Sequence, residues 1–150
     1  MSKVCVVMGV GPGNGEAFVR RFGNEGYQVA MLARSEGYLK QLEQSVKGAH
    51  AFPCDMMEPA ATKAALPQLR QHDTASIIVT SASAATRGRA NTAPFASAKA
   101  AQRSLAQSLA RQLGPEKIHV ANVVIDGVVD LPRTREMLPD KPDDFFVQPS

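Results

Sequence analysis

The chain has 150 residues, 44% of them hydrophobic, enough to bury one core and short for two domains. Its 17 Lys and Arg against 14 Asp and Glu give a formal charge of +3, scattered along the chain rather than gathered in one run, which argues against a nucleic-acid partner. No run of about eighteen apolar residues occurs, and "MSKVCVVMG" has neither the basic start nor the cleavage site of a secretion signal, so a cytoplasmic protein with no membrane partner is expected. Cys5 and Cys54 each fall at an apolar strand signal without metal-ligand spacing, so two reduced, buried thiols and no metal site are expected.

In chain order the pattern predicts strand Lys3 to Met8, helix Gly13 to Asn24, strand Gln28 to Ala33, helix Glu36 to Val46, strand His50 to Cys54 and helix Pro59 to Gln71. Strand Ser76 to Thr80, a loop "SASAATRGRANTA", helix Pro94 to Leu113 and strand His119 to Ile125 follow. Strands that alternate with helices imply a parallel sheet, because a parallel pair needs a long crossover. Their continuous Val and Ile runs suit strands covered on both faces. In the last helix Leu105, Leu109 and Leu113 recur every four residues beside Ala98, Ala101 and Ser104, a stripe that serves either core packing or a homo-oligomer contact. The domain is expected to occupy residues 1–130. "DLPRTREMLPDKPDDFFVQPS", with four prolines and no strand pattern, reads as a loop or tail.

The stretch "VVMGVGPGNGEAFVRRF", residues 6–22, carries the first functional signal. Gly9, Gly13 and Gly15 stand at GxxxGxG spacing, with Gly11 and Asn14 between them. A strand that turns sharply into a helix needs residues without Cβ if a pyrophosphate is to approach the backbone, and the helix then aims free N–H groups at the anion. The same glycines would also serve a tight turn that holds no ligand. The strand before, the helix after and a second strand about twenty residues on favour a dinucleotide. Where that second strand ends, "VAMLARSEG" offers Ala33, Arg34 and Ser35 in place of the carboxylate common at NAD sites. A guanidinium and a hydroxyl suit a 2′-phosphate, so NADP is preferred to NAD. In "PCDMM", Asp55 and Met56 are placed near the adenine, although Asp55 would equally cap the next helix.

With these residues in place, the chain resembles the short-chain dehydrogenase/reductase family, through "GVGPGNG" at 9–15, "CDM" at 54–56, "IIVTSASAATRGRANTAPFASAK" at 77–99 and "HVANVVIDGVVD" at 119–130. The resemblance implies a Rossmann-like fold, a nicotinamide dinucleotide and a small carbonyl or alcohol substrate. It also implies a proton-transfer set: a Ser, a Tyr, and a Lys four residues after the Tyr. Lys99 matches the Lys, but Phe95 stands at the Tyr position, and a phenyl ring has no proton to transfer. The Ser position falls on Ala82, flanked by Ser81 and Ser83, whose hydroxyls are the two candidates to take its place. One subgroup of the family keeps the Lys and carries Phe for the Tyr, which makes Phe95 a property of lineage. After the last strand the resemblance places Asp126 where a Pro is usual, keeps Gly127, gives Val129 backbone contacts to the carboxamide, and puts Leu131 where a Thr is common.

The family pattern also contains a fourth strand ending in "NNAG" and a helix after it, which this chain lacks. Here "QLRQHDTASIIVTSAS" runs from the third crossover helix directly into the Ser-type strand. The usual final strand is missing too, so the chain reads as either a natural shortened product or an incomplete gene. Unpaired backbone beside the first strand would cost about 1–3 kcal/mol per unsatisfied group. Strand Ser76 to Thr80 is therefore expected to pair directly with Lys3 to Met8, giving the parallel order 3-2-1-4-5. That would shift the Lys99 helix by about one strand spacing, 4.7–4.9 Å, where an error of about 1 Å already costs a hundredfold in rate. Two readings follow: an NADP-binding oxidoreductase with weak or absent hydride transfer, or a non-catalytic nucleotide-binding or interaction module.

Overall fold

The computed structural model of the chain describes residues 3–55, 66–67, 69–72 and 75–149. Five strands, β1 (Lys3–Met8), β2 (Tyr27–Ala33), β3 (Ala49–Pro53), β4 (Ala75–Ala82) and β5 (Ile118–Ile125), form one parallel sheet in the order β3-β2-β1-β4-β5. The expected strand order is borne out. β4 pairs with β1 through Val4 and Ala75, Val6 and Ile77, and Met8 and Val79. This pairing gives the backbone of β1 a partner on both edges, which is what a strand buried at the centre of a sheet requires.

Helices α1 (Asn14–Asn24), α2 (Glu36–Ser45) and α3 (Ala93–Leu113) cover the sheet. Side chains alternate across a strand, so β1 sends Cys5 and Val7 to one face and Val6 and Met8 to the other. On the first face they meet Val19 of α1 and Leu39 and Leu42 of α2; on the second they meet Ala106, Leu109 and Leu113 of α3. The expected helix from Pro59 to Gln71 lies largely outside the described residues, though Leu66 and Leu69 are buried in the second cluster. Leu113 is fully buried there, so Leu113→Ala is expected to cost about 2–5 kcal/mol, read as a lower midpoint in urea unfolding.

Two expectations need correction. Of the leucine stripe, Leu109 and Leu113 are buried but Leu105 is 37% exposed, because a spacing of four drifts around a helix of 3.6 residues per turn. The segment read as a loop contains a short helix α4 (Pro132–Met137) and a strand β7 (Phe146–Val147), which pairs in parallel with β6 (Val128–Val129). Arg135 holds this segment together. It donates to both carboxylate oxygens of Asp130 at 2.7 and 2.8 Å, pairs with Asp143, and lies 4.2 Å from the centre of the Phe146 ring.

These bonds from Arg135, joined by one from Gln148, hold the Asp130 carboxyl down at about 2. An ordinary aspartate titrates near about 3.9. Because the folded value is the lower one, the contribution is complete above about pH 4 and is lost as pH falls through the folded value. Protection of the Phe146 and Val147 amides against hydrogen exchange is therefore expected to fall between these values. Asp130→Asn is expected to lower that protection at neutral pH and to flatten its pH dependence.

Candidate functional site

The glycine stretch turns out of β1 at the edge where parallel sheets of this kind hold ligands, beyond the carboxyl ends of the strands. Gly9 has φ +84° and Gly13 φ +98°, a region that side chains other than glycine's rarely enter. Gly15 sits against the turn that leaves β1: a Cβ there would lie 2.9 Å from the Gly9 carbonyl oxygen and 2.9 Å from the Val10 Cα. α1 therefore approaches the strand as closely as a phosphate loop requires. Gly11 makes no such demand, since a Cβ would meet nothing within 4 Å. Asn14 opens α1, and Gly13, at its N-cap, provides no side-chain cap, so the first-turn amides have no side-chain acceptor.

Beside this loop a cavity of about 490 Å³ is lined by Gly9, Val10, Ala33, Arg34, Ser35, Cys54, Asp55, Ala98, Lys99 and Gln102. Arg34 is exposed and makes no ion pair among the described residues. Ser35 occupies the N-cap position of α2 but its hydroxyl makes no cap bond, which leaves it for a ligand. Asp55 follows β3 into the same cavity, while Met56 lies outside the described residues. Cys54, expected to be buried, is half-buried on this wall because β3 ends at Pro53; Cys5 is fully buried, and burial pushes its thiol up to about 12. Glu16 and Tyr38, joined by a hydrogen bond, tie the first turns of α1 and α2 together behind the loop.

The proposed proton-transfer residues are not gathered in one place. Lys99 is half-buried, donates to the Thr80 carbonyl oxygen at 3.2 Å, and lies on the cavity that holds Arg34. Burial lowers its ammonium pKa. Phe95, one turn earlier, has its ring centre 5.8 Å from the Lys99 Nζ but is 50% exposed and opens onto a second cavity, of about 540 Å³, with Ser83, Arg87, Asp126 and Phe145. Ser83 hydrogen-bonds Asp126, and together with Arg87, 3.2 Å away, it holds that carboxyl below the usual aspartate range. Ser81 is 3% exposed, on the α3 side of β4, and its buried hydroxyl has no partner among the described residues. It lines neither cavity.

The resemblance implies a backbone contact from Val129 to the carboxamide, and in the structure Val129 lies beside the glycine loop. Its carbonyl accepts from the Thr134 hydroxyl at 2.6 Å, and its Cγ1 would stand 3.0 Å from a Cβ on Gly13, with Leu131 at 3.5 Å. The C-terminal segment thus packs its own side chains onto the far end of the glycine loop. Sequence reasoning missed Gln102, whose Oε1 is buried without a partner among the described residues on the wall of the first cavity. Its position three residues after Lys99 on a helix is the signal that would have found it. Among the described residues no group of three His, Cys, Asp or Glu side chains is placed to hold a metal, and no helix is long and apolar enough to cross a membrane.

A parallel sheet, a glycine turn without side chains and a ligand-sized cavity at the strand ends define the class of α/β domain that holds its ligands beyond the carboxyl ends of its strands. The short chain dehydrogenase model matches residues 3–72 and 59–142, and the chain belongs to that family. None of the curated proteins matches it. Among solved structures, it is similar to the NADPH-bound short chain oxidoreductase of Pseudomonas aeruginosa PAO1 that contains an atypical catalytic center, at 20% identity and a TM-score of 0.72, covering 91% of this chain and 75% of that one. A variant actinorhodin polyketide ketoreductase with NADPH is similar at 19% identity and a TM-score of 0.72, covering 99% and 86%. The 3-ketoacyl-(acyl-carrier-protein) reductase of Brucella melitensis, complexed with NADH, is similar at 18% identity and a TM-score of 0.73, covering 98% and 86%. At these identities the likeness concerns the fold.

Proposed function

We propose that this chain is a short-chain dehydrogenase/reductase family protein that binds NADP in the cavity beside the glycine loop and transfers hydride weakly or not at all. The observation that carries the reading is that cavity: Gly9 and Val10 at one end, Arg34, Ser35 and Asp55 along one wall, and space between them of about 490 Å³. Close packing of Gly15 on Gly9 and Val10 suits a diphosphate at the start of α1, and Arg34, which makes no ion pair among the described residues, with the uncapping Ser35 hydroxyl suits a 2′-phosphate. Asp55 stands where a carboxylate would accept from the adenine amine. NADP would supply a hydride donor or acceptor at its nicotinamide.

This chain's own residues do not complete the reaction. Phe95 has no ionisable proton, Ser81 is enclosed, and Ser83 is engaged with Asp126. The alternative, a non-catalytic nucleotide-binding or interaction module, follows if transfer is absent altogether. Similar folds that hold NADPH, one of them with an atypical catalytic center, support the cofactor class. Calorimetric titration with NADPH and NADH tests the proposal. Saturable binding with NADPH the tighter ligand is the expected result; no binding of either would overturn it.

A further inference from the structure

The two strands nearest the cavity bring an unexpected pair of walls together. In the β1–β4 register Met8 is opposite Val79, so Thr80 stands level with Gly9. Lys99, anchored on the Thr80 carbonyl, is thereby set beside the start of the glycine loop and across one cavity from Arg34. An ammonium has three donors. One is used on Thr80, which leaves two for a ligand. Gln102, one turn further along α3, adds a buried acceptor with no partner among the described residues, suited to a ribose hydroxyl. Among the described residues, two cations, Arg34 and Lys99, against one carboxylate, Asp55, make this cavity's charged lining net positive, which favours an anion. Meanwhile Val129 and Leu131 fill the space over Gly13, which lies outside this cavity.

We infer that α3 has become a wall of the nucleotide cavity, with Lys99 and Gln102 holding the phosphorylated adenosine half of the ligand, so that adenosine 2′,5′-bisphosphate occupies the site without a nicotinamide. The inference rests on the cofactor reading given above and narrows it to one half of the dinucleotide. In this arrangement Lys99 is a binding residue for phosphate, and the nicotinamide end contributes little affinity. Its half-buried ammonium, destabilised by desolvation, gains from an anionic partner.

Titration of the full chain with NADPH, adenosine 2′,5′-bisphosphate and nicotinamide mononucleotide, repeated on Lys99→Met and Gln102→Leu, tests it. The bisphosphate is expected to bind within a few-fold of NADPH, and the mononucleotide not to bind. Lys99→Met is expected to weaken NADPH and the bisphosphate by the same factor, about tenfold or more. Gln102→Leu, which removes no charge and no anchor of α3, is expected to weaken both by a smaller common factor. If Lys99→Met weakens NADPH alone, or neither ligand, Lys99 does not hold the adenosine half and the inference fails. It fails as well if the bisphosphate does not bind while NADPH does, an outcome that leaves the cofactor reading standing. If neither binds the unaltered chain, the cofactor reading itself is overturned.

Discussion

Arg34→Asp is expected to weaken NADPH binding by about tenfold to a hundredfold, the worth of one hydrogen bond between charged groups at about 1.5–3 kcal/mol. Arg34 is exposed and makes no ion pair among the described residues, so its removal leaves no orphaned carboxylate and the fold is expected to persist. The introduced carboxylate faces the ribose hydroxyls, so NADH binding is expected to hold or improve. Paired titrations of both dinucleotides read the change as a reversal of preference. An equal loss for both would place Arg34 on the diphosphate and remove the basis for preferring NADP.

The second large effect falls on Gly15. A Cβ at this position lies 2.9 Å from the Gly9 carbonyl oxygen and 2.9 Å from the Val10 Cα, both backbone atoms that cannot rotate away. Gly15→Val must push the start of α1 off the Gly9–Val10 turn, at a cost of about 1–3 kcal/mol or more as overpacking, and must move the first-turn amides from the loop they face. Lower thermal stability and loss of NADPH binding are expected together. Gly11→Ala is the control, because a Cβ there meets nothing within 4 Å. It is expected to change both measurements little.

The chain showed its architecture because β1, β2 and β4 carry continuous apolar runs and the helices between them keep one face apolar, and the same sheet partners satisfy both patterns. Even the unusual neighbour of β1 was legible: Met8 and Val7 need bonded strands on either side, and after the missing unit Ala75–Ala82 is the strand available. The C-terminal segment was harder to read. Its ordered parts are six and two residues long, too short for periodicity, and depend on Arg135 meeting Asp130 and Asp143 across the chain. Pro132 at the first turn of α4 was a usable signal, since proline is pre-shaped for that position.

The site divides in the same way. Gly9, Gly15, Arg34, Ser35 and Asp55 belong to one local β-α-β pattern, and the structure brings Gly9, Arg34, Ser35 and Asp55 to one cavity with Gly15 packed behind it. Lys99 is different, because its role depends on where α3 lies across the sheet. Helix spacing keeps it near Phe95, which the sequence could show. Only the β1–β4 pairing decides that it shares a cavity with Arg34, while Ser83 shares another with Phe95. A motif read along the chain assigns residue types to a reaction, whereas proton transfer needs them within hydrogen-bond reach of one substrate atom.

The claim that nucleotide binding and proton transfer have come apart is tested most directly by NADPH consumption with the chain saturated in NADPH, over a panel of aldehydes and ketones, for the unaltered chain and for Phe95→Tyr. The account predicts no consumption above the uncatalysed rate in either, since a phenol at position 95 would open onto the cavity of Ser83 while Lys99 opens onto that of Arg34. Multiple turnovers by the unaltered chain, or their appearance on restoring the phenol alone, would contradict it.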